Sequence, residues 1–297
     1  MNDIFENHDT SPPVAPVLVD ESPAPPPPVL HRIPNFGHAL LLFAFAGVSL
    51  FIFELIVILV GGPPITVNAG HITVAHPKLQ LLAEGGTYVV TLVVGWLFFP
   101  LLWHRNFFSG LQWSWSAARS HLGKLVPLGL VLGVMSGLAD TFLSSSKPPP
   151  IEQFFVTASD AWLITVFGIV VAPIFEEICF RGFLVPAFAI AYDWLSLTRN
   201  DASRFSWQTT TTLSPAAYVF SAVVSSVLFA ALHGQQLAFQ WGPLIVLFSV
   251  SLVLTWVRVK TQSVAASVMV HCAYNSFIFL ITIIQTGGYR HLDRMTH

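Results

Sequence analysis

From Phe205 to Val257 the chain contains no Asp, Glu, Lys or Arg. A bilayer crossing takes about 20 mostly apolar residues, whose backbone hydrogen bonds must be made within the helix because hydrocarbon offers none. This run is long enough for two such helices. Apolar stretches lie near 38–61, 79–103, 122–143, 161–193, 215–240, 242–258 and 263–284, with a turn expected at Trp241-Gly242-Pro243 between the fifth and sixth. The expected fold is all-α, a polytopic transmembrane helical bundle of about seven spans.

Composition agrees and narrows the partners. Of 297 residues, 54% are apolar and 9% charged, and 13 Lys and Arg stand against 15 Asp and Glu. That balance provides no basic surface for a phosphate backbone, so the lipid bilayer is an expected partner and nucleic acid is not. Cys179 and Cys272 both fall in apolar stretches and read as small buried side chains. Residues 1–35 hold nine prolines and five acidic residues, a composition that cannot bury a core, and are expected to form a disordered, Pro-rich cytoplasmic tail ahead of a transmembrane domain over 36–290. The first residues lack a basic segment followed by an apolar one, so no cleavable signal peptide is expected. With seven spans, eight Lys and Arg fall in loops on the N-terminal side and four on the other. The positive-inside rule then predicts a multi-pass protein of the cell (inner) membrane with a cytoplasmic N-terminus.

Three ionisable side chains interrupt the fourth stretch, in Ala172-Pro173-Ile174-Phe175-Glu176-Glu177-Ile178-Cys179-Phe180-Arg181-Gly182. Charge at mid-bilayer costs about 2.5–3.5 kcal/mol even on lenient scales, so such residues face a protein interior or a cavity and mark function. A structural ion pair accounts for Glu177 and Arg181, four apart on one helix face, and leaves Glu176 over. Held apart from that pair, Glu176 is a candidate base for activating water. In the fifth stretch Phe229 precedes His233 by one turn, and in the seventh His271 precedes Asn275 by one turn. Each alone reads as a satisfied interior group or as interhelical hydrogen bonding at about 0.6–2 kcal/mol per contact. Glu54 and Asp140 are further intramembrane carboxylates outside these patterns, Asp140 near the interface.

Together, Glu-Glu-x-x-x-Arg, Phe-x-x-x-His and His-x-x-x-Asn resemble, in kind and in order, the motifs of the CAAX protease and bacteriocin-processing family of intramembrane proteases, which includes the type II CAAX prenyl endopeptidases. The resemblance covers roughly residues 160–284, the protease-like core. It implies that Glu176 and His233 position and activate the attacking water, that His271 and Asn275 steady the oxyanion, that Glu177 and Arg181 support the site, and that Phe229 packs beneath His233. The implied substrate is a peptide or lipid-modified protein.

Peptide hydrolysis needs a base for water, donors for the oxyanion and an acid for the leaving amine, and Glu, His and Asn side chains supply all three. Glu176, His233 and His271 could equally hold a divalent metal such as zinc, so glutamate-dependent and metallo-endopeptidase readings both stand. The chain has no Gly-x-Ser-x-Gly elbow and no His-Glu-x-x-His helix. The contrasting reading is a non-catalytic membrane protein, a transporter or a bacteriocin-immunity partner, in which the polar groups only order the bundle. A transporter would be expected to show paired repeats or matching broken helices, which this sequence lacks.

Overall fold

The computed structural model describes residues 32–63, 65–68, 71–143, 150–198 and 200–295. The expected tail over 1–35 lies almost wholly outside the described residues. Among those described, seven helices are long and apolar enough to cross a membrane. In chain order α1 is Phe36–Gly61, strands β1 (Ile65–Asn68) and β2 (His71–Val74) form an antiparallel hairpin, and α2 is Pro77–Trp103. Short helices α3 (Phe107–Gly110) and α4 (Trp115–Ser120) lead to α5, Leu122–Leu143. The fourth span, Ala158–Ser196, is a composite of α6 (Ala158–Val166), a π-helical segment at Phe167–Val171, α7 (Ala172–Glu177), a second π-helical segment at Ile178–Leu184, and α8 (Val185–Ser196). A surface helix α9 (Asp201–Thr209) precedes α10 (Pro215–Leu232), α11 (Trp241–Thr261) and α12 (Val264–Gln285). The fold is all-α apart from the hairpin, which the hydropathy pattern does not reveal.

Side-chain caps set where several of these helices begin. Asn35 caps α1, Ser214 caps α10 and Ser263 caps α12, each accepting from a backbone N–H in the first turn. Gln262, in the left-handed region at φ 50°, ends α11 and lets α12 start at once. Ser263 Oγ also donates to the carbonyl of Ser114 at 2.9 Å, fastening this tight turn to the loop before α4.

The fourth span is the axis of the bundle, with 44% of its most apolar window buried against 11% for α1, whose large side chains face lipid. Small residues set the approach of α5 to α12. A Cβ on Gly129 would come within 2.4 Å of the Val270 carbonyl, and one on Gly133 within 2.6 Å of Phe277. On the other flank, Phe99 of α2 packs on Phe183 of the second π segment at 4.9 Å between ring centroids. The polar segments of the fourth span and α12 are thus held between two rigid walls.

The fifth span departs from expectation. It ends at Leu232 with His233 as its C-cap, eight residues short of the predicted Gln240. Gly234 permits a compact turn in which Phe239 N–H donates back to the Gly234 carbonyl at 2.7 Å, with Ala238 and Phe239 both at positive φ. The Trp241-Gly242-Pro243 sequence is the first turn of α11 instead of the joint. Ending the helix here does not separate the polar groups in depth, because α10 stops at the level of Glu176.

Candidate active site

Glu176 and Glu177 close α7, and the π turns on either side of it decide which way they point. A π turn carries an extra residue, offsetting the side chains beyond it and releasing carbonyls from the i to i−4 ladder. Glu177 turns inward and is fully buried, as is Arg181. Arg181 Nη1 donates to Glu177 Oε1 at 2.8 Å, while Nη2 donates to Ser251 Oγ at 2.7 Å and the Ser251 carbonyl at 2.9 Å. The pair thereby anchors α11 as well as the fourth span. Ser251 carries no sequence signal that distinguishes it from other membrane serines.

His271 of α12 completes this buried set through Nδ1, 2.9 Å from Glu177 Oε1. The same Glu177 oxygen accepts from Arg181, so Nδ1 donates to it and carries a proton. His233 is oriented in a similar way: its Nδ1 lies 2.8 Å from the Phe229 carbonyl, which can only accept. Both imidazoles therefore turn Nε2 toward the cavity. Phe229 packs against His233 with ring centroids 4.6 Å apart and against His271 edge-on at 5.9 Å.

Glu176 is the part-exposed carboxylate between them. Its oxygens lie 4.0 Å from His233 Nε2 and 3.8 Å from His271 Nε2, with the Glu176 side chain 18% exposed. These gaps exceed a direct hydrogen bond and are wide enough for a water at about 2.8 Å from both partners to bridge them. Glu176, His233, His271 and Asn275 all line one cavity of about 270 Å³. Asn275 sits less simply than its expected oxyanion role requires, since its Nδ2 donates to the Gly168 carbonyl in the first π segment at 2.6 Å. One N–H of that amide remains for another acceptor.

Sequence reasoning missed two residues of the cavity wall, Glu84 and Tyr88 of α2. The Tyr88 hydroxyl donates to Glu84 Oε1 at 2.5 Å, and the Tyr88 ring stacks on Phe175 at 3.8 Å. Glu84 is within electrostatic reach of Glu176 and His233, and Glu54 acts on Glu84 without lining the cavity. The cavity opens on the face opposite the N-terminus. It is bordered there by the start of α2, by Ile151 and Phe154 ahead of α6, and by Gln236 and Leu237 after α10.

In a tetrahedral zinc site with bonds of ~2.0–2.2 Å, neighbouring ligand atoms stand roughly 3.4 Å apart. The carboxylate–imidazole separations of 3.8 and 4.0 Å are wider. Among the described residues no group of three His, Cys, Asp or Glu is arranged to hold a metal ion.

Residues 158–277 match the family model described as type II CAAX prenyl endopeptidase Rce1-like. No curated protein and no solved structure matches the chain. The matched segment begins with the fourth span and runs through Asn275, so it contains every polar group that converges on the cavity except Glu84 and Tyr88. Over residues 158–277, therefore, this chain is similar to the Rce1-like type II CAAX prenyl endopeptidases.

Proposed function

We propose that the protein is an intramembrane endopeptidase that hydrolyses a peptide bond in a membrane-associated or prenylated protein or peptide through water activated by Glu176. The observation that carries this reading is the convergence of Glu176, His233 and His271 to within 4.0 Å on one cavity, from three helices. In this mechanism water donates one proton to Glu176 and its second hydrogen bond to His233 Nε2, and its oxygen attacks the scissile carbonyl. Glu176 then delivers the proton to the leaving nitrogen, so base and acid are the same group at successive steps. His271, in its doubly protonated form, donates from Nε2 to the oxyanion, with the remaining Asn275 N–H as second donor. Leu81, Ile164, Leu247 and Ile278 give the cavity an apolar wall suited to a hydrophobic or lipid-bearing segment.

The test is cleavage of peptide libraries, with and without a prenyl group, by purified protein in detergent. Glu176→Ala is expected to lower turnover by about 10²-fold or more while abundance stays near wild type, because it removes the base together with a costly carboxyl. Full activity in that variant overturns the mechanism. Activity is also expected to survive a strong chelator, given the ligand spacing. Loss on chelation and recovery with zinc would establish a metal-dependent route instead. The non-catalytic reading predicts no cleavage of any library member under any of these conditions.

A further inference from the structure

A second cavity, of about 220 Å³, opens on the N-terminal face, away from the catalytic groups, and its wall carries Arg32, Arg105 and Arg258. Among the described residues no Asp or Glu lines it. Arg258, in the last turn of α11, is only 7% exposed. Its Nη2 donates to a neutral acceptor, Gln112 Oε1, at 2.5 Å, and its Nε is buried without a hydrogen-bond partner. Arg32 lies over the Trp207 ring at 3.6 Å and donates to the carbonyls of Trp207 and Thr210, again neutral groups, and its Nε is likewise buried and unpaired. The carboxylate that acts on Arg32 is Asp193, whose two oxygens already accept from Ser214 N–H and Oγ at 2.7 and 2.6 Å.

A buried guanidinium compensated only by neutral acceptors is costly, and neighbouring like charges raise that cost. An anion bound between the three would relieve it. The planar guanidinium fork suits the oxygens of a phosphate, and basic pockets between membrane helices at the headgroup level are where anionic lipids are held. We propose that this cavity is a binding site for a phosphate-bearing anion. An adjoining feature favours a lipid as its source. An apolar groove of about 590 Å³, lined by Phe36, Phe188, Ala191, Leu195 and Phe220, runs beside the same ends of α1, α8 and α10, where an acyl chain would leave the headgroup.

The experiment uses the full chain in detergent, with thermal unfolding and native mass spectrometry. The ligands are phosphatidylglycerol, phosphatidylcholine with the same chains, and inorganic phosphate. Phosphatidylglycerol is expected to raise the melting temperature and to be retained as an adduct, and phosphatidylcholine to do neither. Arg258→Met and Arg105→Gln should each weaken the phosphatidylglycerol response about tenfold or more, as loss of one charge-assisted hydrogen bond implies. Arg258→Met replaces a buried cation by an apolar side chain of similar length and should still fold, and Arg105 is exposed, so its substitution reports on the site even if Arg258→Met does not accumulate. If inorganic phosphate reproduces the shift and displaces the lipid, the site stands and its source is the free ion. An equal response to both lipids, no response to phosphatidylglycerol or phosphate, or a response unchanged in Arg105→Gln and in any folded Arg258→Met overturns the proposal.

Discussion

Glu177 and Arg181 have no solvent exposure, yet each has more than one partner from another helix or another turn. Glu177 Oε1 accepts from both Arg181 and His271, and Arg181 also donates to two oxygens of Ser251. Such a pair adds little net stability when intact, but deleting one member strands the other at a cost of about 3–5 kcal/mol. Glu177→Ala is therefore expected to lower both abundance in membranes and cleavage, unlike Glu176→Ala. Adding Arg181→Met removes the stranded cation and should restore abundance without activity, since His271 has still lost the acceptor that orients it. Membrane-fraction quantitation and turnover measure the two effects separately. Normal accumulation of the single variant, or activity in the double variant, would contradict this division of roles. Such residues are visible in sequence because charge in an apolar run is conspicuous, and the criterion that singled out Glu54 applies equally to Glu84. What sequence cannot assign is the facing of Glu84. The helix that carries it is apolar on nearly every side toward lipid, so no periodicity separates its inward face.

Helix number and approximate bounds follow from bilayer thickness and are therefore legible from composition alone, whereas the features that shape the site are not. Neither π segment has a distinguishing composition, because the residues of a π turn are those of any membrane helix. The early end of α10 is decided by hydrogen bonds within residues 233–240, which hydropathy does not weigh. Both features act on the cavity: the first π segment exposes the Gly168 carbonyl that holds Asn275, and the stop at Leu232 leaves His233 level with Glu176. Deleting Val170 should return Phe167–Val171 to α-helical register and rotate the upstream helix by about 100° relative to Glu176. The expected result is normal insertion with cleavage reduced by at least about tenfold, because a small misplacement of reacting groups costs that much or more. Val170→Ala is the control, since this side chain is 45% exposed toward lipid and should be neutral. A deletion variant as active as wild type would show that the π turn is incidental to the site.

At the scale of the whole molecule the two cavities lie at opposite ends of the bundle. The basic one is framed by the end of α11, the first half of α8 and the residues before α1, and the one that holds Glu176 by the starts of α2 and α11 and the end of α10. Described Lys and Arg residues divide the same way: Arg32, Arg105, Arg119, Lys124, Arg204, Arg258 and Lys260 stand toward the N-terminal face, and Lys78, Arg290 and Arg294 toward the other. Cytoplasmic loops retain the excess of positive charge, so the N-terminal face is expected to be cytoplasmic, and the scissile bond would then reach Glu176 from the opposite side of the membrane. Single substitutions at exposed ends test this in intact cells with a membrane-impermeant maleimide. Lys78→Cys, whose native side chain is 58% exposed, should label in intact cells, and Lys260→Cys only after lysis. Cys179 is buried and Cys272 part-buried, so the unsubstituted protein supplies the background. The reverse labelling pattern would turn the catalytic cavity toward the cytoplasm and leave its position within the bundle unchanged. The arginine cavity would then face the outer leaflet, where anionic lipid is supplied differently, so this measurement also fixes the leaflet in which its ligand must be sought.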